Sequence, residues 1–211
     1  MSRTLACIVE GHGDTLAVPV LLRRLAEVKE DFQISISPPI RVHKDQFIRR
    51  DDEFRRKLLL AVAKAQGGAV IILLDADDDC PVSLASSLRA RAQKIAPASN
   101  VHTVIACREY ESWLIAGIGP LAGKRRVRAD ATPPPNPDEI RDAKGWISEQ
   151  MLSGRYHEVV DQPAMTATFD LQHAQAASRS FRKFIESFSA ILESFAAHDG
   201  RLDLGSRASH N

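Results

Sequence analysis

A chain of 211 residues that is 44% hydrophobic and 26% charged has enough apolar material for a full α/β core. Its net charge of +1 excludes a globally basic nucleic-acid binder and leaves room only for a local basic patch. Three cysteines, with Cys7 and Cys107 inside apolar runs, exclude a disulfide framework and point to a reducing cytoplasm. No stretch approaches the length of a membrane span, so no membrane partner is expected.

Met1-Ser2-Arg3 leads straight into a first apolar strand, Thr4 to Val9, instead of a signal peptide. The strand closes on Glu10-Gly11-His12-Gly13-Asp14, where two glycines allow a tight strand-to-helix turn. Leu21, Leu25 and Val28 at helical spacing predict an amphipathic helix from about Thr15 to Glu30, with Pro19 in or near its first turn. Phe32 to Ser37 alternates as a second strand does and is broken by Pro38-Pro39 before Ile40-Arg41-Val42 resumes. Asp51 or Asp52 is the expected N-cap of a helix whose inner stripe is Phe54, Leu58, Val62 and Ala65.

Gly67-Gly68 delivers the chain into Val70-Ile71-Ile72-Leu73-Leu74, an unalternating apolar run that suits a strand buried on both faces of a parallel sheet. It ends in Asp75-Ala76-Asp77-Asp78-Asp79. A helix from about Val82 to Ile95 follows, with Asp78 and Asp79 as candidate caps and Pro97 as its stop. A fourth strand, Val101 to Cys107, then runs into the short helix of Arg108-Glu109-Tyr110-Glu111-Ser112-Trp113-Leu114. Alternation of this kind implies right-handed βαβ units and a mostly parallel sheet flanked by helices, an α/β architecture over residues 1–118.

Residues 119–137 hold a basic run, 124–128, and Thr132-Pro133-Pro134-Pro135-Asn136-Pro137, and read as a linker or extended arm. A helical C-terminal extension is expected over 138–198, opened by Asp138 and closed by a stripe of Phe181, Phe184, Phe188, Ile191 and Phe195 that marks one buried helix face. Residues 199–211 read as a frayed tail.

Acids gather where a parallel sheet collects function, at the carboxyl ends of its strands: Glu10 and Asp14 after the first, Asp75 and Asp77 after the third, Glu109 and Glu111 after the fourth. Several carboxylates at one edge repel one another, and a divalent cation with oxygen preference relieves this most simply. Asp75 and Asp77, two apart, share a face if the backbone stays extended. The bland alternative leaves Asp14 as an N-cap and Glu10 as a solvated loop residue. His12 is the one histidine placed near these acids, and Cys80 lacks the second cysteine that a zinc site needs.

Ile8-Val9-Glu10-Gly11-His12-Gly13-Asp14 together with Leu73-Leu74-Asp75-Ala76-Asp77 resembles a TOPRIM domain, the fold of topoisomerases, bacterial primases and OLD-type nucleases, and its acid four residues after Glu10 is more similar to the OLD-type nucleases than to the primases. The segment Arg108–Leu114 and the segment Ser178-Arg179-Ser180-Phe181-Arg182-Lys183-Phe184 resemble a bacterial TOPRIM-like family catalogued as a domain of unknown function, DUF4276. This resemblance implies a Mg²⁺- or Mn²⁺-dependent nuclease or phosphodiesterase acting on DNA or RNA, with Glu10, Asp14, Asp75 and Asp77 as ligands and Glu109 or Glu111 as a further acid. Two such ions, about 3.5–4 Å apart, would activate a phosphodiester for in-line attack. Phosphate-positioning cations are sought among Lys44, Arg49, Arg50, the 124–128 run, Arg179, Arg182 and Lys183, with Lys144 as the candidate catalytic lysine. The family's frequent company of AAA-type ATPases in defence-related gene clusters implies such a partner. The rival reading is a non-catalytic TOPRIM-like interaction subunit of that ATPase. A phosphatase or phosphoacceptor is a third, disfavoured because the first strand ends in Glu10 where those folds need an aspartate.

Overall fold

A computed structural model describes residues 3–208, with side-chain surroundings as far as Ala197. Strand β1 (Thr4–Val9) is central and wholly buried. It pairs on one side with β4 (Ala69–Asp75) and on the other with two short strands in succession, β2 (Ser35–Ile36) and β3 (Ile40–Arg41). β5 (Asn100–Ala106) lies outside β4, and every pairing is parallel. The expected α/β architecture, a parallel sheet flanked by helices, is therefore present.

Side-chain alternation divides the core in two. Leu5, Cys7 and Val9 of β1 with Ala69, Ile71 and Leu73 of β4 face one layer, while Ala6 and Ile8 with Val70, Ile72 and Leu74 face the other. This is why neither strand alternates in sequence: both faces are covered. The second layer is α3 (Asp51–Ala65), through Phe54, Leu58, Ala61 and Ala65, and α4 (Pro81–Ile95), through Leu88 and Ala92. The first layer is α1 (His12–Val28) and the helices that follow β5: α5 (Glu111–Ala116), α6 (Ala143–Gln150), α7 (Glu158–Thr166), α8 (Leu171–Ala177) and α9 (Arg179–Ala208). The whole aromatic stripe of α9 is buried in this layer.

Several local expectations are corrected. The second strand keeps only two residues in the sheet before Pro38-Pro39 displaces the chain, and a short α2 (Lys44–Arg49) precedes α3, so Arg50 takes the N-cap position and Asp51 and Asp52 fall in the first turn. Pro19 lies inside α1, not in its first turn, because the helix already starts at His12. Asp78 and Asp79 do not cap α4, whose N-cap is Cys80 with Pro81 at its first position. Asp138 does not open its own helix. Its Oδ2 accepts the N–H of Arg179 at 2.9 Å, so it caps α9, while Asp142 caps α6 by accepting from Gly145.

The segment 119–137 is not a free linker. Leu121, Val127 and Ala131 are buried in the first layer, and Val127 bridges to Met151. The helical extension thereby shares the core of the sheet. Its last helix continues through the expected tail as far as Ala208, and residues 209–211 lie outside the described residues.

Candidate functional site

The acids stand where the carboxyl ends of β1, β4 and β5 meet α1, α5 and the extension. Asp14, in the first turn of α1, is buried; its Oδ2 accepts the N–H of Gly11 at 2.8 Å and its Oδ1 accepts Nε2 of Gln162 at 2.7 Å. Burial raises its carboxyl above the usual range despite both bonds. It is thus a helix-capping residue and a member of the acidic group at once.

Glu10 is half-buried, and its Oε2 is a buried oxygen with no hydrogen-bond partner among the described residues. Burial first, then the charges of Asp77 and Asp14, push its carboxyl to about 7, against the pull of Lys44. Asp75 ends β4 and accepts the N–H of Tyr110 at 2.9 Å. Its carboxyl is held well above the ordinary value by burial and by the charges of Asp14, Glu111 and Glu10, with Lys144 opposing. Four acids from three strand ends therefore act on one another through space.

Asp77 departs from the expected shared face with Asp75. Its backbone is left-handed, with φ at 51°, so the chain turns at the strand end. Its Oδ2 accepts Nζ of Lys44 at 2.6 Å instead. Lys44 is a nearly buried lysine whose Nζ also donates to the carbonyl of Ala76 at 3.1 Å and lies 3.6 Å from Asp79. Burial disfavours its charge, but the Asp77 bond and the charges of Asp77, Glu10 and Asp79 prevail and hold its pKa above the ordinary lysine value. Lys44, Arg41 and His43 line a cleft of about 400 Å³ with Glu10 and Asp77.

The two glutamates after β5 also separate. Glu111 is buried, accepts Oη–H of Tyr156 at 3.1 Å, and is raised to about 7 by burial. Glu109 meets Nζ of Lys144 at 2.7 Å, and Glu111 lies 3.3 Å from the same nitrogen. Lys144 is held above its ordinary pKa by these acids and by Asp75, although burial opposes its charge. Of the basic residues considered from sequence, Lys44 and Lys144 reach the acids. Asp78, by contrast, pairs with Arg108 at 2.5 Å and Arg141 at 3.4 Å, away from the group.

Three contributors escaped sequence reasoning, all from the extension: Tyr156, Glu158 and Gln162. Glu158 Oε1 accepts the N–H of Gly13 at 2.9 Å, so α7 closes over the first turn of α1. Glu158 and Gln162 lie on an inverted helix, in which Val159 and Val160 are exposed while Asp161, Gln162 and Thr166 are buried, and Tyr156 precedes it, so the apolar pattern of the sequence does not mark them. Gly13 is required here by close approach. A Cβ would sit 1.7 Å from Gln162 Oε1 and 2.5 Å from Glu158 Cγ, and Gln162 is too buried to swing aside. Gly13→Ala is expected to destabilise the protein by about 1–3 kcal/mol despite the better helix propensity of alanine. A shift in the urea midpoint with unchanged slope measures it.

Among the described residues no three His, Cys, Asp or Glu side chains form a ready set of metal ligands. The donor chemistry nonetheless fits a hard divalent cation: clustered carboxylates, raised protonation and the unpartnered Glu10 oxygen. Two lysines hold Asp77, Glu109 and Glu111 in its place, so an ion would have to draw these side chains off their salt bridges.

The raised acids predict a pH signature. Glu10 and Glu111, ordinarily 4.5, titrate near 7 in the fold, so the native state binds more protons than the unfolded chain between those values. Stability of the metal-free protein should therefore fall as pH rises from 5 to 7 and then level off. His102, held low by burial, contributes the opposite slope. Thermal melts of the Glu10→Gln/Glu111→Gln variant isolate the acids, and a wild-type slope in that variant would refute the assignment.

Among the described residues no helix is long and apolar enough to cross a membrane. No curated protein and no solved structure matches the chain. The family described as "Domain of unknown function (DUF4276)" matches residues 9–188, a span running from the end of β1 through the Glu10, Asp75 and Glu111 group into α9, and the chain belongs to that family.

Proposed function

We propose that the protein is a TOPRIM-like, Mg²⁺- or Mn²⁺-dependent phosphodiesterase acting on nucleic acid. The observation that carries this reading is the convergence of Glu10, Asp14 and Glu111 on Asp75 at the carboxyl edge of a parallel sheet, beside a Glu10 oxygen that no group among the described residues satisfies. Glu10, Asp75 and Asp77 would hold the ion, with Asp14 and Glu111 behind them. The ion, once bound, supplies Lewis-acid polarisation of a phosphodiester.

The protein's own residues supply the rest. Lys44 lines the cleft with Arg41 and His43, where a phosphate's negative charge would be met, and Asp77, which it now holds, would be one of the residues holding the ion. Lys144, which pairs with Glu109 and Glu111 and whose charge acts on Asp75, would neutralise charge developing at the reacting phosphate. The N–H of Tyr110 holds Asp75, while Gln162 and Tyr156 hold Asp14 and Glu111 in the same acidic group.

The second reading, a non-catalytic interaction subunit of an AAA-type ATPase, is favoured by the two lysines that already neutralise part of the acidic group. Calorimetric titration with Mn²⁺, followed by incubation with plasmid, single-stranded DNA and RNA, separates them. Binding of Mn²⁺ with cleavage that EDTA abolishes supports the phosphodiesterase; neither binding nor cleavage supports the interaction subunit.

A further inference from the structure

β5 ends the sheet: β4 takes one of its edges and no strand of the described residues takes the other. Among the described residues, no hydrogen bond links the backbone of residues 101–105 to anything beyond β4. At the very end outside groups intervene, where Ser180 Oγ accepts the N–H of Cys107 at 3.0 Å and Ser112 Oγ donates to its carbonyl at 3.0 Å. α4 and α9 flank this edge from opposite layers and leave a groove of about 660 Å³ whose floor is Thr103, Val104, Ile105 and Cys107. The Oγ1 of Thr103 is buried there without a partner among the described residues. An unpaired edge of this kind templates another strand, and proteins usually blunt or cover it.

The rim has a sign. Arg89 from α4 and Arg179, Arg182 and Lys183 from α9 stand along the groove against one acid, Glu186. Lys183 pairs with Glu186, and Arg182 donates to the last carbonyls of α8, whereas Arg89 and Arg179 make no salt bridge among the described residues. We propose that the free edge of β5 accepts an extended, acidic segment of a partner protein as an additional strand. The alternating N–H and C=O groups of an edge strand match a peptide backbone, with the cations reading acidic side chains beside it. A single-stranded nucleic acid fits less well, because no aromatic side chain lines the groove for bases to stack on. This surface is separate from the acidic group and does not depend on its activity.

The test uses the full chain and a fluorescent peptide of alternating Glu and Val. Binding should be saturable and weaken about tenfold or more in the Arg89→Glu/Arg179→Glu variant. Glutamate in the first turn of α9 suits the helix dipole, so that variant keeps its fold, which circular dichroism verifies. N-methylation of alternate peptide residues, in either register, should abolish binding in one register by removing the donors that pair with β5. Equal binding of a Lys-Val peptide, indifference to N-methylation in both registers, or tighter binding of an oligothymidylate that displaces the peptide would each overturn the proposal.

Discussion

Asp75→Asn should abolish metal-dependent cleavage and at the same time stabilise the metal-free protein above pH 7. The two effects come from one cause. Asp75 receives the repulsion of Asp14, Glu111 and Glu10 in a site that already disfavours charge and that Lys144 only partly offsets, so its ionisation costs folding free energy. Asparagine keeps an oxygen that accepts the N–H of Tyr110 and removes the charge. Loss of a carboxylate ligand is expected to cost on the order of a thousandfold in rate, equivalent to about 4 kcal/mol. The melting temperature at pH 8 should rise by a few degrees, since about 1 kcal/mol moves a domain of this size by roughly 2–4 °C. Saturating Mn²⁺ should stabilise the wild type at pH 8 and leave the variant almost unmoved, because a ligand stabilises only the state it binds. Cleavage by Asp75→Asn at the wild-type rate would exclude the acidic group as the reaction centre, and a variant less stable than wild type at pH 8 would exclude charge repulsion there.

What could be read from the sequence was what local pattern dictates. Val70 to Leu74 had to be a doubly covered strand because no alternation marks a solvent face, and the phenylalanines of α9 repeat at the spacing of one helix face. The acids were legible by position, since each follows an apolar strand. Their relation to one another was not. Asp77 was expected to share a face with Asp75, but a left-handed residue at the strand end turns it toward Lys44, and nothing in the local composition announces that turn. Lys44 looked like one surface cation among several until α2 placed it under the Ala76 carbonyl. The partnership of Gln162 with Asp14 joins residues 148 apart, and neither helical period nor capping preference reaches that far. The Pro-rich stretch misled for the opposite reason: its composition forbids a helix, yet the short flanking apolar residues Leu121, Val127 and Ala131 suffice to pin it to the core.

Trp113→Ala should produce the largest loss of stability of any single substitution considered, about 3–5 kcal/mol for emptying a buried tryptophan site, out of the 5–15 kcal/mol typical of a domain. The indole is fully buried between Tyr110 at 5.0 Å and Phe181 and Phe184 at 5.2 Å each, and its Nε1–H donates to Ser180 Oγ at 2.8 Å. The same Ser180 oxygen accepts the N–H of Cys107, so one hydroxyl ties the end of β5, α5 and the start of α9 together. This is how two segments distant in sequence, Arg108–Leu114 and Ser178–Phe184, form one structural unit, joined by a bond between residues 67 apart. Trp113→Phe restores most of the packing but removes one of the two donors to Ser180 Oγ, leaving the Cys107 N–H, and should cost about 1–2 kcal/mol. Because α5 also carries Glu111, the alanine variant is expected to loosen the acidic group before the chain unfolds, seen as a flatter pH dependence of melting and weaker Mn²⁺ binding. Urea midpoints for wild type, Trp113→Phe and Trp113→Ala should therefore descend in that order. Equal midpoints for the two variants would mean that the hydrogen bond to Ser180, and not the aromatic packing, joins the extension to the sheet.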